Sequence, residues 1–144
     1  RRLSCWPGAA RELLLIEREI IGPLRGRVTP DDALYVNSSD PEIYYELGCK
    51  SPPMCFLWAG YYTKFFFGRR RERRQAFLAF FLEHKPLYII DFYGDIRLDY
   101  LEEVSGLRYE LDFDTTLAAV YRRVSVRDNG GQNNFDMVKM YSVI

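Results

Sequence analysis

The chain has 144 residues, zero formal net charge, and an apolar fraction of 48% in which tyrosine and phenylalanine are unusually frequent. This length and composition predict one folded domain with a hydrophobic core, and they exclude a disordered chain or a scaffold that depends on disulfides. Zero net charge excludes a general attraction to nucleic acid, and no apolar run approaches the roughly 20 residues of a bilayer span. No signal peptide is visible. The chain begins with Arg-Arg rather than Met, so we expect it to be a piece of a longer protein.

The first predicted elements are an amphipathic helix and a buried strand. Residues 9–21 place Leu13, Ile16 and Ile20 on one helical stripe, and Gly22-Pro23 is expected to end that helix. Residues 33–37, ALYVN, form a short apolar run between turn signals, which predicts a buried strand.

A short helix bounded by proline and glycine follows. Ser38-Ser39-Asp40 offers side-chain oxygens for an N-cap, and Pro41 suits the first helical position because its missing N–H costs nothing there. Gly48 is expected to close this two-turn helix. Pro52-Pro53 prevents its continuation and leads into MCFLWAG, a second predicted strand over residues 54–60.

The second half predicts a long helix, a strand, a short helix and a hairpin. Residues 69–84 repeat apolar side chains every three or four positions, and residues 86–92, PLYIIDF, are the most strand-like run in the chain. Residues 99–106 predict a short helix, after which YELDFD and LAAVYRRVSV form an antiparallel hairpin. DNGG is a further hairpin turn signal, so residues 133–144 are expected to add one more strand.

This alternation of helices and strands predicts an α/β fold. We expect a three-layer sandwich whose central sheet is mainly parallel and carries an antiparallel C-terminal hairpin. Residues 1–144 are interpreted as a single domain, in which residues 124–144 form an extra hairpin or strand.

The sequence predicts no cofactor, no metal site and no catalytic triad. Residues 37–42, NSSDPE, stand where a glycine-rich nucleotide loop would follow the first strand, and the only histidine, His84, lies where a helix dipole favours a cation. No serine or cysteine lies in a nucleophile elbow. Cys5, Cys49 and Cys55 lack metal-ligand spacing; Cys49 and Cys55 flank the Pro-Pro turn and are able to pair, although free thiols are expected.

Polar side chains collect after the predicted strands and form a candidate ligand or acceptor surface. Ligands gather at the carboxyl ends of parallel strands, where carboxylates hold a divalent cation or sugar hydroxyls. Loops between strands and helices contain such residues in any case, and two of these side chains also suit helix capping. The candidate residues are Asn37, Asp40, Glu42, Asp91 and Asp95.

The basic run GRRRERRQ is the most unusual feature of the sequence. Arg70, Arg73 and Arg74 lie at the start of the second long helix, where positive charge opposes the macrodipole. They form either a solvated first turn or a site opposite an anion, such as a lipid headgroup phosphate or an anionic substrate. The preceding WAGYYTKFFFG is aromatic, and aromatic residues beside arginines are typical of a membrane interface. We therefore predict contact between these arginines and lipid phosphates.

Three segments resemble a known family. They are VTPDDALYVNSSDPEIYYELGCKSPPMCFLW, QAFLAFFLEHKPLYIIDF and YELDFDTTLAAVYRR. Together they are similar to the extracytoplasmic C-terminal domain of bacterial multi-span membrane glycosyltransferases, which are related to dolichyl-phosphate-mannose–protein mannosyltransferases and to the aminoarabinose transferase of lipid A. The similarity covers roughly residues 9–123 and rests on Thr29, Pro30, Asp32, Ser39, Asp40, Pro41, Glu42, Ile43, Tyr44, Gly48, Pro52 and Pro53. Asn37-Ser38 stands where the family usually has Trp-Gly.

The resemblance implies an accessory domain on the periplasmic or extracellular face of a cell membrane. Its parent would transfer a sugar from a polyprenyl-phosphate donor, with the catalytic aspartate in the multi-span portion, so no catalytic residue is expected in this chain. The implied partners are the transmembrane portion of the same polypeptide, lipid headgroups, and a polyprenyl-phosphate sugar or acceptor, but not nucleic acid. The alternative hypothesis is a free-standing α/β enzyme or ligand-binding module that uses Asp40, Asp91 and Asp95.

Overall fold

The computed structural model describes residues 7–37, 42–50, 71–92, 94 and 96–127. In these ranges helices cover a four-stranded mixed sheet. The strands are β1 (Leu34–Asn37), β2 (Tyr88–Asp91), β3 (Leu107–Asp114) and β4 (Ala119–Val126). The helices are α1 (Pro7–Ile16), a π-helical turn (Glu17–Ile21), α2 (Gly22–Leu24), α3 (Glu42–Leu47), α4 (Arg71–His84) and α5 (Leu98–Ser105). None of these helices has the length and apolarity that a membrane span needs.

The first helix continues past the Gly-Pro pair at which we expected it to end. In a regular helix the ring of Pro23 would crowd the Glu19 carbonyl, and Pro23 has no N–H to donate to it. The π-helical turn widens the backbone just before this point and is closed by a hydrogen bond from the Gly22 N–H to the Glu17 carbonyl. The helix therefore reaches Leu24, whose side chain is fully buried.

The sheet has the strand order β1-β2-β4-β3. β1 and β2 are parallel, with Leu34 beside Tyr88 and Asn37 beside Asp91, whereas β4 is antiparallel to both of its neighbours. The predicted C-terminal hairpin is confirmed, but the mainly parallel sheet is not, because the described sheet is mostly antiparallel. The reason is that the hairpin inserts β4 directly beside β2. The predicted strands at residues 54–60 and 133–144 lie outside the described residues.

Side chains from the two parallel strands enter two separate buried clusters. Tyr35 and Ile89 pack with α4 and α5, and the Tyr35 and Phe81 rings lie 5.4 Å apart between centroids. Their neighbours Val36 and Ile90 point the opposite way and pack with the first helix and α3. All four residues of each strand are buried. This pair of strands therefore forms the centre of the core, because it contributes to both clusters. Burial of each apolar side chain stabilises the fold by about 1.5–3 kcal/mol.

The connection from α4 to β2 is held by the hairpin. Lys85 ends the helix with a φ of +46°, and its N–H donates to the Phe81 carbonyl at 3.0 Å. The guanidinium of Arg123 donates to the Lys85 carbonyl, and the hydroxyl of Tyr109 donates to the buried carbonyl of Pro86. The Phe81 carbonyl belongs to the last turn of the helix, whereas the Lys85 and Pro86 carbonyls belong to the connection that follows it, and each of the three has a donor. These bonds fix the end of α4 against β3 and β4.

We expect Tyr109→Phe to lower the free energy of unfolding by about 1–3 kcal/mol, because it leaves the buried Pro86 carbonyl without the donor that now serves it. Urea unfolding followed by circular dichroism measures this change. Tyr121→Phe is the matched control, since Tyr121 lies on β4 and is only partly buried. Equal losses in the two variants would contradict the role of the Tyr109 bond.

Candidate functional site

Asn37 and Asp91 are the last residues of β1 and β2 and lie side by side in the parallel pair. The Asn37 amide donates to Asp91 Oδ1 at 3.2 Å. Both side chains are buried, with exposed fractions of 0% and 2%. The structure therefore brings together two of the side chains that the sequence placed at the carboxyl edge of the sheet.

Asp91 also holds the loop that leads into α5. Its Oδ1 atom accepts a hydrogen bond from the Gly94 N–H at 2.9 Å, and its Oδ2 atom accepts one from the Ile96 N–H at 3.2 Å. Gly94 has a φ of +65°, which suits glycine at this turn. A cation or a sugar hydroxyl at Asp91 would have to compete with these backbone donors. The carboxylate thus has a clear role in organising the loop.

Asp91 of β2, Ala119 of β4 and Asp114 of β3 lie side by side and form one row across the sheet. Ala119 pairs with Asp91 on one side and with Asp114 on the other, which places the two carboxylates two strand spacings apart, or about 10 Å between backbones. Tyr121 lies two residues along β4 from Ala119. Its pKa is raised by partial burial and then by the negative charges of Asp91 and Asp114. A phenol that senses the charge of both carboxylates thus lies one step along β4 from this row.

Asp114 and Tyr121 were not among the predicted site residues. Their position depends on the insertion of β4 between β2 and β3, which the hairpin sequence alone does not specify. Glu42 is the first residue of α3, where the helix dipole stabilises a negative charge. Asp40 and Asp95 lie outside the described residues.

The predicted lipid-contacting arginines fall at the start of α4. Arg73 and Arg74 lie in its first turns, where the structure describes the helix but not these side chains, and Arg70 lies outside the described residues. Contact with lipid phosphates therefore stays a prediction. His84 ends α4, with its ring 5.3 Å from that of Phe80 between centroids.

Cys49 is a free thiol in a partly buried position after α3. Burial raises its pKa to about 11, and the nearby negative charge of Asp32 contributes in the same direction. A thiol with so high a pKa is a poor nucleophile at neutral pH. Across the described ranges there is also no group of three or more His, Cys, Asp and Glu side chains that would hold a metal ion.

Comparison of the chain with protein-family models, with curated proteins and with solved structures found no match. The function is therefore inferred from the residues and geometry of the chain itself.

We expect Asp91→Asn to lower the free energy of unfolding by about 1–3 kcal/mol. An amide in place of the carboxylate brings its own N–H groups towards the donors of Asn37, Gly94 and Ile96. Asp114→Asn is the matched control, because Asp114 is exposed in the same row of the sheet, and we expect a change of at most about 0.5 kcal/mol. Urea denaturation of both variants measures the difference. A neutral effect of Asp91→Asn would show that the loop does not depend on this carboxylate.

Proposed function

We propose that this chain is the extracytoplasmic accessory domain of a polytopic membrane glycosyltransferase that uses a polyprenyl-phosphate sugar donor. The observation that carries the proposal is the agreement between the resembling segments and the element boundaries. Gly48 closes α3 in a left-handed conformation, Pro86 follows α4 and precedes β2, and β3 and β4 form the closing hairpin. These are the positions at which the resemblance places a turn, a strand start and a hairpin.

In this proposal the sugar transfer itself belongs to the transmembrane portion of the parent protein. The domain lies on the periplasmic or extracellular face, packs on that portion, and helps to admit the donor or the acceptor. Its partners are the membrane body, lipid headgroups and, at the carboxyl edge of the sheet, a polyprenyl-phosphate sugar or acceptor.

The finer architecture of this proposal is a three-layer sandwich with a mainly parallel sheet. The two buried clusters on opposite sides of β1 and β2 support the layers.

The direction of the first helix supports a membrane-facing role for the carboxyl end of the sheet. Glu19 accepts a hydrogen bond from Thr116 at the hairpin tip, whereas Arg27, further along the chain, binds Asp112 of β3. The helix therefore runs antiparallel to β3, and α1 begins at the end of the sheet that carries the hairpin tip. That is where a preceding transmembrane portion would join the domain.

The direction of α4 places its first turns at the same end of the sheet. Only a short connection around Pro86 joins α4 to β2, and both elements pack in one buried cluster, so α4 returns antiparallel to β2. Its first turns, with Arg73 and Arg74, thus lie towards the carboxyl end of the sheet. Each basic residue near an anionic lipid surface contributes about 1 kcal/mol of binding, so a cluster of arginines at this end favours contact with phosphates.

We expect the chain to bind anionic vesicles, and we expect Arg70→Ala/Arg73→Ala/Arg74→Ala to weaken that binding by at least about tenfold. Flotation with vesicles that contain phosphatidylglycerol, compared with phosphatidylcholine vesicles at low and physiological salt, measures the effect.

The matched control for this experiment removes the same charge from the opposite end of the sheet. Arg108→Ala/Arg122→Ala/Arg127→Ala changes three exposed arginines near the start of β3 and in the last part of the hairpin. We expect this control to bind the vesicles nearly as well as the parent chain. Equal binding by the parent chain and the first triple variant would remove the lipid contact from the proposal.

A second candidate is a free-standing ligand-binding module, which the position of Tyr121 near Asp91 and Asp114 favours. An aromatic ring near carboxylates is suited to sugars, and calorimetric titration with neutral sugars, nucleotides and Mg²⁺ tests this use. If the module reading is right, we expect saturable binding by the isolated chain that Asp114→Asn weakens. Heats that show no saturation would leave the accessory domain as the better interpretation.

A further inference from the structure

The outward side of α1 carries an exposed leucine between two arginines. The inward side of the first helix is set by Ile16 and Ile20, which are buried in the core. Residues three and four positions apart share one side of a helix, so Arg11, Leu14 and Arg18 lie together on the opposite side. Both arginines are exposed, and Leu14 is 71% exposed. An apolar side chain thus stands between two positive charges on the accessible side of the helix.

These two positive charges are not neutralised within the part of the chain that the structure describes. Neither Arg11 nor Arg18 has an ion-pair partner among the described residues. Both acids adjacent to Arg18 have other partners, since Glu17 is paired with an arginine further along the chain at 2.7 Å and Glu19 accepts a bond from the hairpin tip. Glu12 points about 100° away from Arg11 around the helix axis. The outward side therefore presents net positive charge to an external anion.

The outward side of α1 lies at the carboxyl end of the sheet. Glu19 accepts its hydrogen bond from Thr116 at the hairpin tip, and Leu14 precedes Glu19 by about 7 Å along the helix axis. Since the helix runs antiparallel to β3, its first turns extend past the hairpin tip. The first helix and α4 pack in different buried clusters, so two basic helices reach this end from opposite faces of the sheet.

An anionic lipid surface is the partner that fits both kinds of side chain. Headgroup phosphates complement the charges of Arg11 and Arg18, and a leucine between them enters the boundary between headgroups and acyl chains. Long arginine side chains keep their guanidinium groups at headgroup level while their stems lie against apolar groups. A phosphate ion in solution would use the arginines, but it would gain nothing from Leu14.

We propose that the outward side of α1 is a lipid-docking surface, on which Arg11 and Arg18 bind headgroup phosphates and Leu14 enters the outer part of the acyl layer. This inference rests on the membrane location in the proposed function. It adds a second lipid contact that is separate from the arginines at the start of α4.

The test is flotation with phosphatidylglycerol vesicles, using Leu14→Gln and Arg11→Gln/Arg18→Gln. Glutamine has a high helix propensity and all three sites are exposed, so circular dichroism should show an unchanged fold. We expect the arginine variant to bind at least about tenfold more weakly at low salt, and salt should reduce this difference because it screens charge. We expect Leu14→Gln to bind about tenfold more weakly at low and high salt alike, because it loses apolar burial.

The matched controls lie at the opposite end of the sheet. Val126 is 49% exposed and pairs with Leu107, the first residue of β3, so Val126→Thr makes a similar exposed apolar site polar. Arg108→Gln/Arg122→Gln removes two exposed arginines from the hairpin. Both controls should bind the vesicles as the parent chain does. If Leu14→Gln does not fold, Leu14→Ala takes its place, because alanine has the highest helix propensity.

Weaker binding of both α1 variants, with unchanged controls, supports the docking surface. Binding of Leu14→Gln equal to that of the parent chain overturns it, whatever the arginine variant does, because the apolar contact would then be absent.

The same vesicles separate this inference from the proposed function. If both α1 variants bind like the parent chain while Arg70→Ala/Arg73→Ala/Arg74→Ala binds more weakly, the docking surface on α1 is overturned and the lipid contact at α4 stands. The reverse result supports the surface on α1 and removes the contact at α4. A parent chain that binds no vesicles overturns both contacts.

Discussion

The burial of β1 and β2 on both faces is the constraint from which the other features of the fold follow. Both four-residue strands are wholly buried, so polar groups at their ends and edges lack ready access to water. Buried polar groups need partners, since each missing bond costs about 1–3 kcal/mol. Asn37 therefore meets Asp91, the Val36 N–H meets Tyr44, and the Pro86 carbonyl meets Tyr109. These three side-chain contacts serve polar groups that lie within this pair of strands or next to it.

Element boundaries were predictable where a single residue decides the local backbone. Gly48 and Gly106 end their helices in left-handed conformations, with φ values of +66° and +76°, and this is the behaviour that the sequence predicts for glycine after a helix. The prediction that Gly22-Pro23 ends the first helix was wrong for a physical reason. Its usual effect is to end a helix, but the π-helical turn accommodates Pro23 while Ile20 and Ile21 are buried in the core. Packing of the preceding residues outweighed the local signal.

The order of the strands was not predictable from the same signals. Thr115 and its neighbours predict a hairpin, yet nothing in their chemistry specifies that β4 rather than β3 pairs with β2. That choice sets the mixed character of the sheet. It also decides which side chains join the carboxyl edge, because Asp114 and Tyr121 reach it only through β4. Asn37 and Asp91 were predictable because each one ends its own strand, and parallel strands share a carboxyl edge.

The geometry at that edge separates the side chains that build the fold from those that remain accessible to a partner. Asp91 is almost wholly buried and accepts bonds from an amide side chain and from the loop before α5. Asp114 lies in the same row but is exposed, and Tyr121 is only partly buried. A sugar or a membrane-bound neighbour approaching this end would therefore meet the β3–β4 side of the row before it met Asp91. If the proposed function is right, surface residues of the hairpin, rather than the buried carboxylate, are the ones that would contact such a partner.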